Sequence, residues 1–209
     1  MRTSRIEAFS DGVFAIAITL LALDLRAPSD TRHLGDYLAA QWPSYVAYVI
    51  SFLLIGLVWA NHHTMFDHIV RGDRVLLFVN TLLLMSVACL PFVTRILAES
   101  LRSGDGRPAA VFTYGMVLVG GGVFFNGIWL WARRGHRLLG DEITSTEARR
   151  LAYRFAAGPF LYAVAAVLGL AAPLPALGVY AALILFYWLP LTRTEASGEA
   201  SPPGLARRS

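Results

Sequence analysis

The chain has 209 residues, of which 56% are hydrophobic and 15% charged, and its mean hydropathy is +0.55. An ordinary soluble domain carries about 25% charged residues, so this composition excludes a soluble globular domain and, apart from the C-terminal tail, a disordered chain. The single cysteine, Cys89, excludes an intramolecular disulfide framework, and the net charge of +4 arises from 18 arginines with no lysine.

Six apolar segments approach the length of about 20 residues that a helix needs to cross a bilayer. They cover residues 6–25, 43–66, 75–94, 109–132, 151–172 and 174–192. The pattern predicts an all-α, polytopic membrane protein with six transmembrane helices in a single repeat. Residues 1–192 form one membrane domain, and residues 193–209, which hold almost no bulky apolar side chain, are predicted to be a disordered tail.

The positions of the arginines indicate the orientation. With the N-terminus in the cytoplasm, 13 of the 18 arginines fall on inside segments and 5 on outside segments. Both termini are therefore predicted to be cytoplasmic, and the basic charge reflects topology, so no nucleic-acid partner is expected. A cleaved signal peptide is the alternative for the first span, but Glu7 and Asp11 interrupt its start and no small-residue cleavage pattern follows.

A polar motif opens the first span. Asp11 lies close to the hydrocarbon, where an isolated carboxylate is costly. Simple capping of the helix N-terminus by Ser10 or Asp11 is one explanation. Further polar partners are present at the inner end of the second span and at the same membrane depth in the third span. We therefore predict a structural cluster that comprises Arg5, Ser10, Asp11, His62 or His63, and Asn80.

Two adjacent histidines at the inner end of the second span also suggest a metal site. On a helix, His62 and His63 point about 100° apart, which makes them a poor chelating pair, although His63 and Asp67 are spaced i, i+4. No cysteine joins them, and we predict neither a metal ion nor a cofactor.

An apolar stripe follows the motif along the first span. Ile16, Thr19, Leu20 and Leu23 are spaced i, i+3, i+4 and i+7 and share one helix face. The residues alone favour a lipid-facing or core stripe, because membrane helices are built of such stripes. The sequence holds no Thr-Val-Gly-Tyr-Gly filter, no nucleotide-binding glycine loop and no hydrolase motif.

The motif resembles the signature of a known family. Arg5-x-x-x-Phe9-Ser10-Asp11, with the apolar run that follows it, is similar to the signature of the transmembrane protein 175 family. These are the endosomal and lysosomal potassium channels of animals and their prokaryotic relatives. The segment from Trp59 to His63 and the six-span length also match, so the resemblance covers residues 1–192. A single repeat implies a homotetramer in a prokaryotic plasma membrane.

The resemblance also implies where ions pass. In the family, the first helix of each subunit lines the central pore, and polar partners on neighbouring helices hold the Phe-Ser-Asp motif. Apolar residues five, nine and twelve positions after the motif aspartate form the constriction, which implies rings of Ile16, Leu20 and Leu23. Thr19 corresponds to a family threonine on the same helix. Asp24, near the outer mouth, is expected to raise the local cation concentration.

The resemblance thus implies a potassium-preferring cation channel in the lipid bilayer, with K⁺ and, less well, Na⁺ as permeant ions, and no enzyme activity. A proton-coupled or proton-conducting permease is the alternative, with Asp11 and His62 or His63 as its titratable sites. An intramembrane enzyme or metal protein built on the histidines is a third, weaker interpretation.

Overall fold

The computed structural model describes residues 3–25, 27–28, 31–136, 138–140 and 143–188, and the regular structure of these residues is helical. The predicted tail, residues 193–209, lies outside the described residues. The helices are α1 (Thr3–Leu20), α2 (Leu34–Ala40), α3 (Trp42–Asp67), α4 (Arg74–Ser103), α5 (Arg107–Arg133), α6 (Ser145–Ala171) and α7 (Pro173–Trp188). Short 3₁₀ turns, Leu21–Asp24 and Arg134–His136, follow α1 and α5.

Among the described residues, five helices are long and apolar enough to cross a membrane: α1 with its 3₁₀ turn, α3, α4, α5 and α6. The chain is therefore a multi-pass, all-helical membrane protein, as the composition predicts. α7 is apolar but is described over only 16 residues, which is shorter than the roughly 20 that a crossing needs. The seven-residue helix α2 precedes α3 and was not predicted from the sequence.

α4 extends well beyond its predicted end at residue 94. It continues through the buried Pro91 to Ser103 and turns into α5 over three residues. Hydropathy marks the apolar part of a helix and not its end. On the additional turns Glu99 pairs with Arg102, three residues later, and an ion pair at this spacing stabilises a helix. Gly104 closes the turn with a φ of +88°, which side chains other than glycine rarely tolerate.

α6 begins six residues before its predicted start at residue 151. Thr144 caps its first turn by accepting a hydrogen bond from the Glu147 amide, and the Glu147 carboxylate in turn accepts from the Thr144 amide. This capping box satisfies amide groups that the first turn of a helix leaves free. As a result, Arg149 and Arg150 are exposed residues of a helix and not of a loop.

The helices pack in chain order around a continuous apolar core. α1 contacts α3 and α4, α4 contacts α5, α5 contacts α6, and α7 lies against α3, α5 and α6. α5 and α6 approach closely at Gly122, where a Cβ atom would lie 2.5 Å from Cγ of Pro159. Because its described contacts are with α3 and α4, α1 lies at the side of the bundle.

Candidate functional site

One face of α1 is packed and the opposite face is not. Four buried positions, Ser10, Phe14, Ala17 and Leu21, are spaced four, three and four residues apart and face α3 and α4. On the other side, Ile16 is 62%, Leu20 41% and Leu23 76% exposed. The apolar stripe noted in the sequence is thus not part of the core of a single chain.

The stripe crosses from α-helix to 3₁₀ helix, which sequence spacing did not predict. α1 ends at Leu20, and Leu23 lies in the following 3₁₀ turn. Residues i and i+3 eclipse each other in a 3₁₀ helix, so Leu23 stays on the side of Leu20. The larger 3₁₀ rise gives the segment from Ile16 to Leu23 a length of about 12 Å, against about 10 Å for a continuous α-helix.

A buried hydrogen-bonded chain connects α1, α4 and α3. The Asn80 amide donates to Oγ of Ser10 at 3.0 Å, and its carbonyl oxygen lies 2.9 Å from Nε2 of His62. The Ser10 hydroxyl donates to the carbonyl of Ile6 at 2.8 Å. All three side chains are almost completely buried, and buried polar groups need such partners. We call Ser10, His62 and Asn80 the polar node.

Aromatic rings enclose the histidine of the polar node. The His62 ring stacks on Phe66 at a centroid distance of 4.4 Å and meets the edge of Phe14 at 5.5 Å. One ring nitrogen is held by Asn80, and the ring has aromatic contacts with Phe66 and Phe14. His62 is therefore fixed in orientation, and it is His62 rather than His63 that joins the motif helix.

Asp11 has a different partner, which the sequence did not predict. The Trp59 indole N–H donates to Oδ1 of Asp11 at 2.9 Å, and the same indole stacks on the His63 ring. The structure thus brings together Ser10, His62 and Asn80, and separately links Asp11 to Trp59. The sequence signal for the contact with Asp11 was Trp59, which lies about one helical turn before the two histidines.

Arg5 and Phe9 lie on the exposed side of α1 and take no part in the polar node.

Two further predicted residues lie near the exposed stripe of α1. The Thr19 hydroxyl donates to the backbone carbonyls of Ala15 and Ile16 within its own helix. Asp24 lies 3.9 Å from Nε of Arg95 on α4. The arginine places a positive charge beside the carboxylate at this end of α1.

The described residues hold no group of three histidine, cysteine, aspartate or glutamate side chains that could bind a metal ion. Within the described chain, the site therefore has two parts. One is the set of hydrogen bonds around α1, and the other is the exposed apolar face of the same helix. The hydrogen bonds of this site hold α1 in place against α3 and α4.

Residues 5–91 match the family model described as the endosomal/lysosomal potassium channel TMEM175. A potassium channel of Streptomyces collinus is 42% identical over 187 residues, which covers 88% of this chain and 91% of that protein. A potassium channel of Chamaesiphon minutus is 39% identical over 191 residues, covering 90% and 94%. This chain belongs to the TMEM175 family.

A solved structure of another TMEM175 protein has the same fold as this chain. The crystal structure of a lysosomal potassium-selective channel TMEM175 homologue from Chamaesiphon minutus superimposes with a TM-score of 0.80 at 36% identity. The match covers 88% of this chain and 95% of that one. The fold is a channel fold, and the family is one of ion channels and not of enzymes.

Animal relatives match over a shorter region. The zebrafish protein named endosomal/lysosomal proton channel TMEM175 is 36% identical over 138 residues, which is 61% of this chain but 26% of that protein. The segment that matches the family model contains α1, α3 and the first part of α4. It therefore includes both the polar node and the exposed stripe.

Proposed function

We propose that this chain forms a homotetrameric, potassium-preferring cation channel of the prokaryotic plasma membrane, with six spans and both termini in the cytoplasm. α1 of each subunit lines the central pore, and Ile16, Leu20 and Leu23 form successive apolar rings. The relatives from Streptomyces collinus and Chamaesiphon minutus are named potassium channels, which supports this assignment. Na⁺ passes less well than K⁺.

The observation that carries the proposal is the two-sided character of α1. Its inner face is fixed by the polar node and by apolar packing, whereas its stripe is exposed in the single chain. One helix cannot enclose a pore, but copies around a symmetry axis can. A helix held at the side of the bundle, with its free face apolar, is suited to that arrangement.

Selectivity then follows from hydration. Rings of isoleucine and leucine offer no oxygen atom to replace the water around an ion, so a cation keeps its shell or loses part of it at a net cost. Na⁺ holds water more tightly than K⁺, and partial dehydration penalises Na⁺ more. Narrow apolar rings also lose their water readily, so the constriction is also the gate.

The contribution of Asp24 to cation attraction is small in this proposal. A carboxylate at the outer mouth raises the local cation concentration, but Arg95 lies 3.9 Å away and carries the opposite charge. Both side chains are partly exposed, so solvent screens the pair as well as the field of each charge.

Recording the purified protein in planar bilayers with K⁺ on one side and Na⁺ on the other tests the function. We expect ohmic single-channel steps with a reversal potential displaced toward the K⁺ equilibrium potential. Saturable transport that requires a proton gradient would instead identify the permease. A reversal potential that follows the pH gradient would instead identify proton conduction, for which Asp11 and the histidines are the candidate sites.

Topology is tested by cysteine labelling in a Cys89→Ser background. Ser103→Cys, at the end of α4, is expected to react with an impermeant thiol reagent from outside. Ser145→Cys, at the start of α6, is expected to react only after the inner face is opened. The physical reason is the excess of arginines on the inner segments. The reverse labelling pattern would overturn the orientation.

A further inference from the structure

The first turns of α6 carry an exposed basic surface that the pore does not use. We call it the basic surface, and it comprises the exposed side chains of Arg149, Arg150, Tyr153 and Arg154. Over its 27 residues α6 has one acidic residue, Glu147, whose carboxylate accepts from the amide and the hydroxyl of Thr144 in the capping box. The basic surface therefore has an excess of positive charge.

The basic surface continues into an apolar surface along the same side of α6. Phe160, Val164 and Val167 are exposed, and at 100° per residue they fall within the sector that Arg149 and Arg154 delimit. The buried residues of α6 lie on the opposite side of the helix. One exposed side thus changes from basic to apolar along the length of the helix.

The length of α6 places this change at a membrane boundary. Its 27 residues extend about 40 Å, whereas the hydrocarbon core is about 30 Å thick and the bilayer with its headgroups about 40–45 Å. The charged residues of α6 all lie within its first ten positions, so the additional 10 Å or so is at that end. Arginine side chains lean toward the N-terminus of a helix and extend into the headgroup layer, where an exposed tyrosine such as Tyr153 is also typical.

The basic surface lies on a side of the bundle that is accessible to lipid. α6 packs mainly against α5 and α7, whereas α1 packs mainly against α3 and α4. In the proposed tetramer, with α1 at the axis, α6 is therefore peripheral. Arg133 and Arg134, at the end of α5, line a depression beside Ser145 at the start of α6 and add positive charge next to the basic surface.

We propose that the basic surface binds the phosphate groups of anionic phospholipids in the inner leaflet, with acyl chains along the apolar side of α6. Charge complementarity favours these lipids over zwitterionic ones, since each arginine near a membrane surface strengthens the attraction about fivefold. The arginine fork also matches phosphate oxygens. The choice of leaflet rests on the proposed orientation, whereas lipid binding itself rests neither on orientation nor on ion conduction.

Native mass spectrometry of the full-length protein tests the proposal. The delipidated protein is incubated with phosphatidylglycerol or with phosphatidylcholine of the same acyl chains, and the lipid retained per subunit is measured. The wild type is expected to retain phosphatidylglycerol preferentially. Arg150→Gln/Arg154→Gln is expected to reduce this preference by about twentyfold, because two of the attracting charges are removed.

Arg71→Gln/Arg74→Gln is the matched control. Both arginines are exposed in the connection between α3 and α4, at the same membrane face in the proposed orientation, and the net charge of the protein changes by the same amount. Asp67 and Asp73 flank them and balance their charge. We expect this variant to alter the preference by less than about twofold.

Arg150→Lys/Arg154→Lys separates charge from damage to the fold. This variant is expected to keep most of the preference, and a loss as large as that of the glutamine variant would contradict the charge argument. Equal retention of the two lipids would also overturn the proposal, as would equal losses in the two glutamine variants. Displacement of the lipid by soluble glycerol phosphate at the same concentration would identify a phosphate compound rather than a lipid as the ligand.

Discussion

Leu20→Ser is expected to raise the leak current about tenfold or more and to bring the K⁺ and Na⁺ permeabilities closer together. In the proposed tetramer the change puts a ring of hydroxyl groups where four leucines excluded water. Each hydroxyl offers a hydrogen bond with a net value of about 0.5–1.5 kcal/mol, and a barrier lower by about 1.4 kcal/mol raises the rate tenfold. Ile16→Asn is expected to act in the same direction. The measurement is the single-channel conductance and the reversal potential in K⁺/Na⁺ gradients.

Leu185→Ser on α7 is the matched control, because Leu185 is also an exposed leucine of the single chain. We expect this variant to conduct like the wild type. A lipid-facing stripe on α1 would give the opposite pattern: Leu20→Ser would then lower expression and leave conductance and selectivity unchanged. If polar residues at positions 16, 20 and 23 all have no effect on current, α1 does not line the pore.

Asn80→Ala is expected to destabilise the subunit by about 1–3 kcal/mol and to reduce the yield of tetramer. The amide joins Ser10 on α1 to His62 on α3, and its removal leaves the buried Nε2 of His62 without a partner. Ser10 still donates to the carbonyl of Ile6, so most of the cost arises at the histidine. Thermal unfolding and size-exclusion chromatography in detergent measure the two effects.

Asn61→Ala is the control for the polar node. Among the described residues, the Asn61 amide donates to the carbonyl of Leu57 on its own helix, and we expect its loss to change stability by no more than about 0.5 kcal/mol. Equal stability of the two variants would contradict the role of the polar node. Intact assembly with lost current in Asn80→Ala would instead indicate that the node affects conduction without supporting the fold.

Part of the site could be predicted from the motif and from the depths of the spans. The inner ends of the first three spans meet at the same membrane face, which predicts one cluster of Arg5, Ser10, Asp11, His62 or His63, and Asn80. Of these, the structure joins Ser10, His62 and Asn80. The choice between His62 and His63 was not predictable, because both are at the same depth. The tertiary packing of α3 decides it, since only His62 faces Phe14 and Asn80.

The hydrogen-bond partner of Asp11 also could not be predicted from the sequence. A carboxylate near hydrocarbon has to find a donor, but tryptophan ordinarily counts as an apolar or interfacial residue. The indole of Trp59 reaches Asp11 because α3 packs beside α1, and the hydrogen bond between them lies on the exposed side of the two helices. Arg5, another member of the predicted cluster, lies instead on the exposed side of its helix.

The sequence by itself determined the class of protein, since the scarcity of charge and the long apolar runs permit little except a bundle of membrane helices. It did not determine the ends of those helices. α4 continues to Ser103 because helix-forming polar residues extend it past the apolar core, and α1 changes to a 3₁₀ turn at Leu21. Only the tertiary structure decided which face of α1 is packed, because an apolar stripe has the same composition whether it faces protein, lipid or a pore, and contacts with α3 and α4 select the face that remains free.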